Sequence, residues 1–515
     1  MRIAKRFFMS ALLLAFSALV MRSISLSFGA YVSRTAGAEA MGVFSLIMSV
    51  FSFALTLATS GINLAVTRMV SEALGNGNHG LARKNMRVCL SYCLFFGSLS
   101  GALLFIFAAP IGGWVLKDDR TVFSMKILAV SLPFISVSSA LGGYFTAVRR
   151  VYKSTFFGVL EQFVKIFFTV KLFEIFIGRG IEYACIALVT ADAVSEVTAA
   201  AVSGLLYLRD RKKYIKKEPC AVSTQSALKN LCFISLPVAL STYIRSGLLT
   251  IEHILIPKNL IKNGLARSEA LSLYGMLHSM VMPMVLFPTA ILLSFSGLLV
   301  PELAEAKVKN KKALISFIAS RAFHFSLIFS FCIAGILITF SDELGLLIYK
   351  SHEVGNFIRM IAPLVPVMYL DSVTDAMLKG LGEQVYSMNV NIVDAMLSVV
   401  CVILLLPKFG IIGYVITIYL TEIINASLSI IKLISITGMR TNIRKWVFAP
   451  LLSVVGAASV CRILIGTVSL TVSGVTEVVI CSFTVVFFYI ILTLLTGGIS
   501  KADIKYLRGV FRRSP

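Results

Sequence analysis

The chain has 515 residues, of which 57% are hydrophobic and only 14% are charged. A soluble chain is usually about one quarter charged, and the mean hydropathy of +0.89 also argues against a soluble enzyme. The formal net charge of +23 could indicate nucleic-acid binding. The basic residues, however, collect in short segments between apolar runs, where they set membrane topology. The composition therefore predicts one integral membrane domain that is not an enzyme and has no nucleic-acid partner.

Apolar runs of about 20 residues recur along the chain, and this length crosses the hydrocarbon of a bilayer. Backbone amides in lipid have no water to bond, so each run is predicted to be an α-helix. We expect an all-α integral membrane fold of about 14 transmembrane spans. In chain order they are 7–33, 41–66, 86–109, 122–147, 155–177, 183–208, 229–257, 271–300, 316–340, 356–378, 386–406, 411–436, 446–466 and 475–497.

Basic residues are divided unevenly between the two sides of the membrane. Few of them follow odd-numbered spans, and the nine that do are Arg34, Lys117, Arg120, Arg179, Lys258, Lys262, Arg267, Lys350 and Lys408. The positive-inside rule then places both termini in the cytoplasm. The predicted location is the bacterial cytoplasmic membrane, which the chain crosses many times.

Similar residues recur about 230 positions apart, which predicts an internal duplication. The matches are residues 38–40 with 268–270, 70–73 with 300–303, and Pro133 with Pro363. A repeat of six helices gives two lobes of the same topology. We expect an N-lobe at 1–208, a basic cytoplasmic linker at 209–228, a C-lobe at 229–437, and two further spans with a basic tail at 438–515.

Charged side chains inside predicted spans mark the candidate substrate site, because an unpaired charge in a bilayer costs several kcal/mol. Arg22 in span 1 and Arg245 in span 7 occupy matching places in the two lobes. Guanidinium groups stay charged and bind phosphate oxygens bidentately. Lys165 in span 5 is a further candidate. Glu161 lies one helical turn before it and is expected to pair with Lys165 or to contribute to the same site.

Six acidic residues in the spans are candidates for coupling to Na⁺ or H⁺. They are Asp192, Glu196, Asp371, Asp375, Asp394 and Glu422. Four of them form two pairs spaced four residues apart, and the members of such a pair cannot neutralise each other. They therefore need cations, protons or partner helices, and structural ion pairing is the alternative. No cofactor is predicted, since neither a metal-ligand spacing of cysteines nor a nucleotide-binding motif is present.

Prolines at five positions within predicted spans indicate kinks, because proline removes a backbone hydrogen bond. These are Pro133, Pro237, Pro283, Pro288 and Pro363. Kinked helices suit a transporter that alternates its access, and static bends are the alternative.

The stretch from Ser60 to Glu72, followed by Gly-Asn-Gly-Asn at 75–78, resembles the multidrug/oligosaccharidyl-lipid/polysaccharide exporter superfamily. Within it, the chain is similar to the polysaccharide-transport branch that contains stage V sporulation protein B and is related to MurJ-type lipid II flippases. The resemblance implies alternating access and an undecaprenyl-linked sugar as substrate. It also implies that Arg22 and Arg245 face a cavity and that spans 13 and 14 form a groove for the lipid tail. The many acids within the spans depart from a uniformly cationic cavity.

The sequence therefore predicts a flippase for lipid II or a related lipid-linked cell-wall precursor, driven by an ion gradient or by the membrane potential. Its expected partners are the polyprenyl-pyrophosphate substrate, membrane lipids and cell-wall synthases. Two alternatives stay open. One is a cation-coupled multidrug exporter of the same fold, and the other is a non-transporting membrane scaffold for cell-wall enzymes.

Overall fold

The computed structural model describes residues 2–59, 61–214, 218, 223–467 and 474–499. These ranges are almost entirely helical and contain no β-strand. Much of the predicted basic linker and the basic tail from residue 500 lie outside the described residues. The α-helices are α1 (Arg2–Ala36), α2 (Ala38–Thr59), α3 (Ile62–Gly75), α4 (His79–Pro110), α5 (Arg120–Ala147), α6 (Val151–Phe176), α7 (Ile181–Tyr214), α8 (Thr224–Lys262), α9 (Arg267–Gly275), α10 (Met282–Leu286), α11 (Thr289–Val308), α12 (Lys312–Thr339), α13 (Ser341–Leu344), α14 (His352–Ile361), α15 (Val365–Gly380), α16 (Gln384–Thr437), α17 (Ala449–Thr467) and α18 (Val475–Leu495).

The predicted all-α membrane fold is confirmed, whereas the number of spans stays a prediction. Ten described helices, or up to eleven, are long and apolar enough to cross a membrane. The 54-residue helix α16 covers two predicted spans, and non-helical backbone at Gly410 separates them. Helix α6 contains a predicted span but also four charged residues between Glu161 and Glu174. Two predicted spans that form one helix, and a span that contains several charged residues, thus account for part of the difference between the 14 predicted spans and the ten or eleven described helices.

Prolines break the helices unequally. Helix α8 bends by 42° at Pro237, between Thr224–Leu236 and Val238–Lys262. Pro288 separates α10 from α11, and Pro363 lies in the 3₁₀ turn Ala362–Leu364. Pro133 instead remains inside a continuous α5. The sequence therefore located the breaks, but the surrounding packing decided which prolines interrupt a helix.

The chain divides into two compact units. We call Thr35–Gly275 with Val402–Lys408 the N-unit, and Met1–Arg34 with Met276–Cys401 and Phe409–Pro515 the C-unit. These units differ from the predicted lobes, since α1 belongs to the C-unit and α8 to the N-unit. The side chains of α1 explain its placement, because Arg34 donates hydrogen bonds to the backbone carbonyls of Leu347 and Ile348. The lobes themselves stay a prediction about the sequence repeat.

The turns between helices repeat in the two units at an offset of 233 residues. In each pair both residues have positive φ, and the pairs are Gly77 and Asn310, Lys117 and Lys350, and Arg149 and Gly382. The hydrogen bonds repeat too: the amide of Asn78 donates to the Ala73 carbonyl at 2.9 Å, and that of Lys311 to the Ala306 carbonyl at 3.0 Å. Left-handed backbone is uncommon outside glycine, so three matched pairs support the predicted duplication.

The predicted register of 230 is wrong by three residues for the turns after spans 2 to 4. Glu72 therefore corresponds to Glu305 and not to Glu302. The shift falls within span 8, where a π-helical turn, Met276–Val281, separates α9 from α10. A π-helical turn accommodates an extra residue inside a helix, and span 8 is interrupted again at Pro288. Both irregularities lie after Glu269, which matches Glu39 at 230, and before the turn that matches at 233.

Helices α2 and α9 of the N-unit cross at two glycines. A Cβ atom on Gly42 would lie 2.0 Å from the Leu271 carbonyl oxygen, and one on Gly275 would lie 2.4 Å from that of Ala38. Small residues spaced four apart let membrane helices approach this closely. This crossing fixes the beginning of span 8 to the N-unit.

Gly42→Ala and Gly275→Ala are each expected to lower the stability by about 1–3 kcal/mol, because backbone atoms cannot move away as flexible side chains do. Thermal unfolding of the detergent-purified protein, followed by size-exclusion chromatography, measures the effect. Gly158→Ala in α6 is the control, since its Cβ would have nothing within 4 Å. Equal melting of all three variants and the parent protein would contradict the proposed tight crossing.

Candidate substrate and ion sites

Span 8 has irregular backbone in the C-unit, where carbonyl groups need partners other than the helix ladder. Tyr349 donates from its hydroxyl to the Met280 carbonyl at 3.1 Å, and Tyr369 donates to that of Val285 at 2.6 Å. Both tyrosines are buried. Because hydrocarbon offers no hydrogen bonds, irregular backbone persists there only where protein groups or water satisfy it.

Arg22 completes this arrangement at the end of α10. Its Nη1 lies 2.6 Å from the Leu286 carbonyl oxygen, 3.4 Å from that of Phe287 and 2.7 Å from Thr289 Oγ1. A cation at the C-terminal end of a helix is stabilised by the exposed carbonyls. Arg22 forms no ion pair with a carboxylate among the described residues. Its Nε and Nη2 groups form no hydrogen bond with described residues either, so part of the guanidinium remains available to a ligand.

Arg245 differs from Arg22 in its surroundings. It lies in α8 of the N-unit, where its side chain is exposed. Within the described chain it forms neither a hydrogen bond nor an ion pair. The two predicted phosphate ligands therefore lie in different units, and neither is held by an acid.

Lys165 pairs with Asp192 on the neighbouring helix α7, with 2.5 Å between Nζ and Oδ1. The expected pairing of Lys165 with Glu161 on the same helix is therefore wrong, although Glu161 and Glu196 lie within electrostatic range of the pair. Contact between α6 and α7 offers Lys165 a closer acid than its own helix does. The charge of Asp192 is thus neutralised by a residue of a partner helix, as expected for an acid within a membrane span.

The corresponding helices of the C-unit bring three acids together. Glu422 lies within electrostatic range of Asp371 and Asp394, and Asn425 Nδ2 donates to Asp371 Oδ2 at 3.2 Å. In the repeat, Asp394 corresponds to Glu161 at the offset of 233, and Glu422 corresponds to Asp192 at 230, the offset that separates the positive-φ glycines Gly180 and Gly410 before them. Position 398, which corresponds to Lys165, is a serine. The cluster of Asp371, Asp394, Glu422 and Asn425 is called the C-unit acid cluster below.

Asp375 is not part of this cluster. Its Oδ2 lies 2.6 Å from Lys379 Nζ, and Ser387 donates to its other oxygen. Asp375 thus realises the alternative of structural ion pairing, with a lysine of its own helix. Lys379 lies one helical turn further along α15, and sequence analysis overlooked it because it falls beyond the predicted end of span 10.

A buried carboxylate in the turn between α4 and α5 was missed. Asp118 accepts two hydrogen bonds from Arg120, at 2.9 and 2.8 Å, and lies 3.3 Å from Arg267 Nη2. Arg120 also reaches Glu39 Oε1 at 3.2 Å. This network joins the turn to the first residues of α2 and α9 in the N-unit. The clustering of charged residues at predicted outer loops was a usable signal for it.

The charge of Asp118 is stabilised by its neighbours. Burial raises the pKa of this carboxyl group, but the hydrogen bonds and positive charges of Arg120, together with the charge of Arg267, outweigh burial and hold the pKa below its ordinary value. A carboxylate whose pKa falls on folding stabilises the protein above the unfolded pKa of about 4. That stabilisation is lost as the pH falls through the folded pKa.

Asp118→Asn is therefore expected to cost about 3 kcal/mol at pH 7, because it leaves two arginines without their buried acid. The difference in melting temperature from the parent protein should shrink as the pH is lowered towards 3. Asp119→Asn is the matched control, since Asp119 is the adjacent, exposed acid. A difference that stays constant with pH would contradict the assigned role of Asp118.

Metal-binding groups of three or more His, Cys, Asp or Glu are absent from the described part of the chain. The cysteines that the structure describes are free thiols, and most of them are buried. The site chemistry of the described residues thus consists of guanidinium, ammonium and carboxylate groups within helices.

The chain is similar to known membrane proteins. A family model for polysaccharide biosynthesis proteins matches residues 8–307. Stage V sporulation protein B of Bacillus subtilis (strain 168) is 28% identical over 423 residues, which cover 80% of each chain. The lipid II flippase MurJ of the same organism is 22% identical over 420 residues, covering 75% of this chain and 76% of the relative.

The fold also matches a solved structure, the lipid II flippase MurJ in an inward closed conformation. The TM-score is 0.71 at 12% identity, and the match covers 94% of this chain and 98% of the other. At this identity the likeness concerns the fold alone.

Proposed function

Because this chain belongs to the polysaccharide biosynthesis protein family, within the multidrug/oligosaccharidyl-lipid/polysaccharide superfamily of membrane transporters, we propose that it flips a lipid-linked cell-wall precursor. The proposed cargo is lipid II or a related undecaprenyl-linked sugar, carried across the bacterial cytoplasmic membrane from the inner to the outer leaflet. The sporulation relative suggests a role in spore peptidoglycan. The predicted cytoplasmic termini and the cell-wall synthase partners belong to the same proposal.

One observation carries the choice of cargo: Arg22 lies within a membrane helix without a carboxylate partner among the described residues. Its Nη1 binds the broken backbone of span 8, and its remaining N–H groups have no described acceptor. A pyrophosphate would supply acceptors of opposite charge, which a cationic drug would not. Arg245, exposed on α8, is the second proposed phosphate ligand.

The proposed cycle uses few groups of the chain. Arg22 and Arg245 each serve as a phosphate ligand during the cycle, the sugar occupies a polar path, and the polyprenyl tail stays in lipid beside spans 13 and 14. Lys165 has a structural role in this proposal, because Asp192 already neutralises its charge. Moving one elementary charge through 100 mV corresponds to about 2.3 kcal/mol. The membrane potential is therefore the proposed source of free energy for moving an anionic headgroup outward.

The test is flipping of labelled lipid II in proteoliposomes, scored by its exposure to an impermeant reagent. Arg245→Ala should slow flipping at least about tenfold with unchanged melting, because Arg245 has no described structural partner. Arg22→Ala should slow flipping and also lower the melting temperature, because it leaves carbonyls of span 8 without a donor.

Arg462→Ala is the matched control, since Arg462 is an exposed arginine on α17 of the C-unit. Flipping by the double variant of Arg22 and Arg245 at the parent rate would refute the proposal. Loss of flipping in Arg462→Ala as well would show a general sensitivity to charge and would also count against it.

A second candidate function, cation-coupled export, is favoured by the C-unit acid cluster. Glu422 lies within electrostatic range of both Asp371 and Asp394, and neighbouring carboxylates disfavour each other's ionisation, which a cation or a proton relieves. The N-unit has Lys165 beside the corresponding acids, whereas the C-unit has Ser398 at that position. We therefore propose the C-unit as the part of the chain that exchanges a proton.

Glu422→Gln is expected to remove the dependence of transport on a pH gradient across proteoliposomes, while transport driven by the membrane potential remains. Lys171→Met is the control, because Lys171 is exposed and pairs only with Glu174 among described residues. An unchanged response of the Glu422→Gln variant to the pH gradient would rule out this role of the cluster.

A further inference from the structure

A narrow groove in the N-unit combines basic side chains with an apolar floor. Lys117, Lys258 and Arg267 line it together with apolar residues that include Leu46, Ile254 and Leu271. No acidic side chain lines the groove. Asp118 lies beside Arg267 and offsets part of its charge, with 3.3 Å between Oδ2 and Nη2. Lys117 and Lys258 form no ion pair with any described residue.

This concentration of positive charge is unusual for its side of the membrane. Only nine basic residues fall in loops after odd-numbered spans, and three of these line the same groove. The positive-inside rule makes basic residues rarer on this side of the membrane. Lys117 comes from one such segment, and Lys258 and Arg267 come from another, so their meeting in one groove points to a site for a negatively charged group.

The groove lies at the expected height of the membrane boundary. Trp114, whose side chain is 82% exposed, directly precedes the lining residue Val115, which is also exposed. Tryptophan concentrates where hydrocarbon meets headgroups. Lys117 then ends the π-helical segment Ile111–Leu116 in a left-handed conformation, which separates its side chain from the helix that precedes it.

The size of the groove limits what it can hold. Its cavity volume is about 40 Å³, which corresponds to roughly three water molecules. A compact charged group such as a phosphate suits this small enclosed space better than a sugar headgroup does. The apolar floor suits hydrocarbon chains, which a free phosphate ion lacks.

We propose that the groove binds the phosphate of an anionic phospholipid of the outer leaflet, with its acyl chains against the apolar floor. Lys117 and Lys258 supply the charge, and Arg267 joins the phosphate to the Asp118 network. The leaflet follows from the predicted orientation. The site does not depend on the proposed flippase function, because its residues are separate from Arg22 and Arg245.

The test is native mass spectrometry of the full-length detergent-purified protein with phosphatidylglycerol or phosphatidylcholine of identical acyl chains. The parent protein should retain phosphatidylglycerol preferentially. K117A/K258A should bind it at least about tenfold more weakly, as expected for the loss of two lysines near a lipid surface. K350A is the matched control, because Lys350 occupies the repeat-related turn with φ 56° and does not line the groove.

K117R/K258R should retain the lipid, which separates loss of charge from misfolding. Unchanged phosphatidylglycerol binding by K117A/K258A would overturn the proposal, as would equal retention of phosphatidylcholine by the parent protein.

Two further experiments address other sources of phosphate. Displacement of the lipid by inorganic phosphate would identify a free-ion site, and tighter lysine-dependent binding of a polyprenyl pyrophosphate would identify a substrate site. Either result would refute the proposal that the ligand is a phospholipid.

Discussion

The broken backbone of span 8 is the constraint on which the C-unit depends. A membrane helix that stops and restarts leaves carbonyl groups where lipid offers no hydrogen bonds. Tyr349, Tyr369 and Arg22 satisfy those groups from three other helices. The irregular segment therefore binds α1 to the C-unit, although α1 is the first helix of the chain. It also retains a guanidinium group inside a membrane protein without requiring a carboxylate.

The two units have similar turns but different buried charges. Matched left-handed residues end helices in both, and acids stand at corresponding positions on the fifth and sixth spans of each copy. In the N-unit, Lys165 neutralises Asp192 through a direct ion pair. In the C-unit a serine replaces that lysine, and three carboxylates share one region. Corresponding positions of the two units thus carry a neutralised acid in one and clustered acids in the other.

Charged residues at helix ends hold helices of the N-unit together. Asp118 holds the beginnings of α5 and α9 through two arginines, and the same arginine of α9 lines the apolar groove. The crossing at Gly42 and Gly275 fixes α9 against α2. Span 8 consequently begins in the N-unit and continues in the C-unit, with the π-helical turn Met276–Val281 at the change.

Hydropathy by itself determined the helical membrane fold and the approximate spans, because the cost of unpaired backbone in lipid leaves few other solutions. It also identified Arg22, Arg245 and the acids, since charge in such spans is rare. Only the tertiary structure decided their partners. Lys165 pairs with Asp192 and not with Glu161, and Asp375 pairs with Lys379. Asp118 binds both its neighbour Arg120 and the distant Arg267. These ion pairs depend on which helix faces come into contact. Hydrophobic periodicity does not encode the distance between two side chains on different helices.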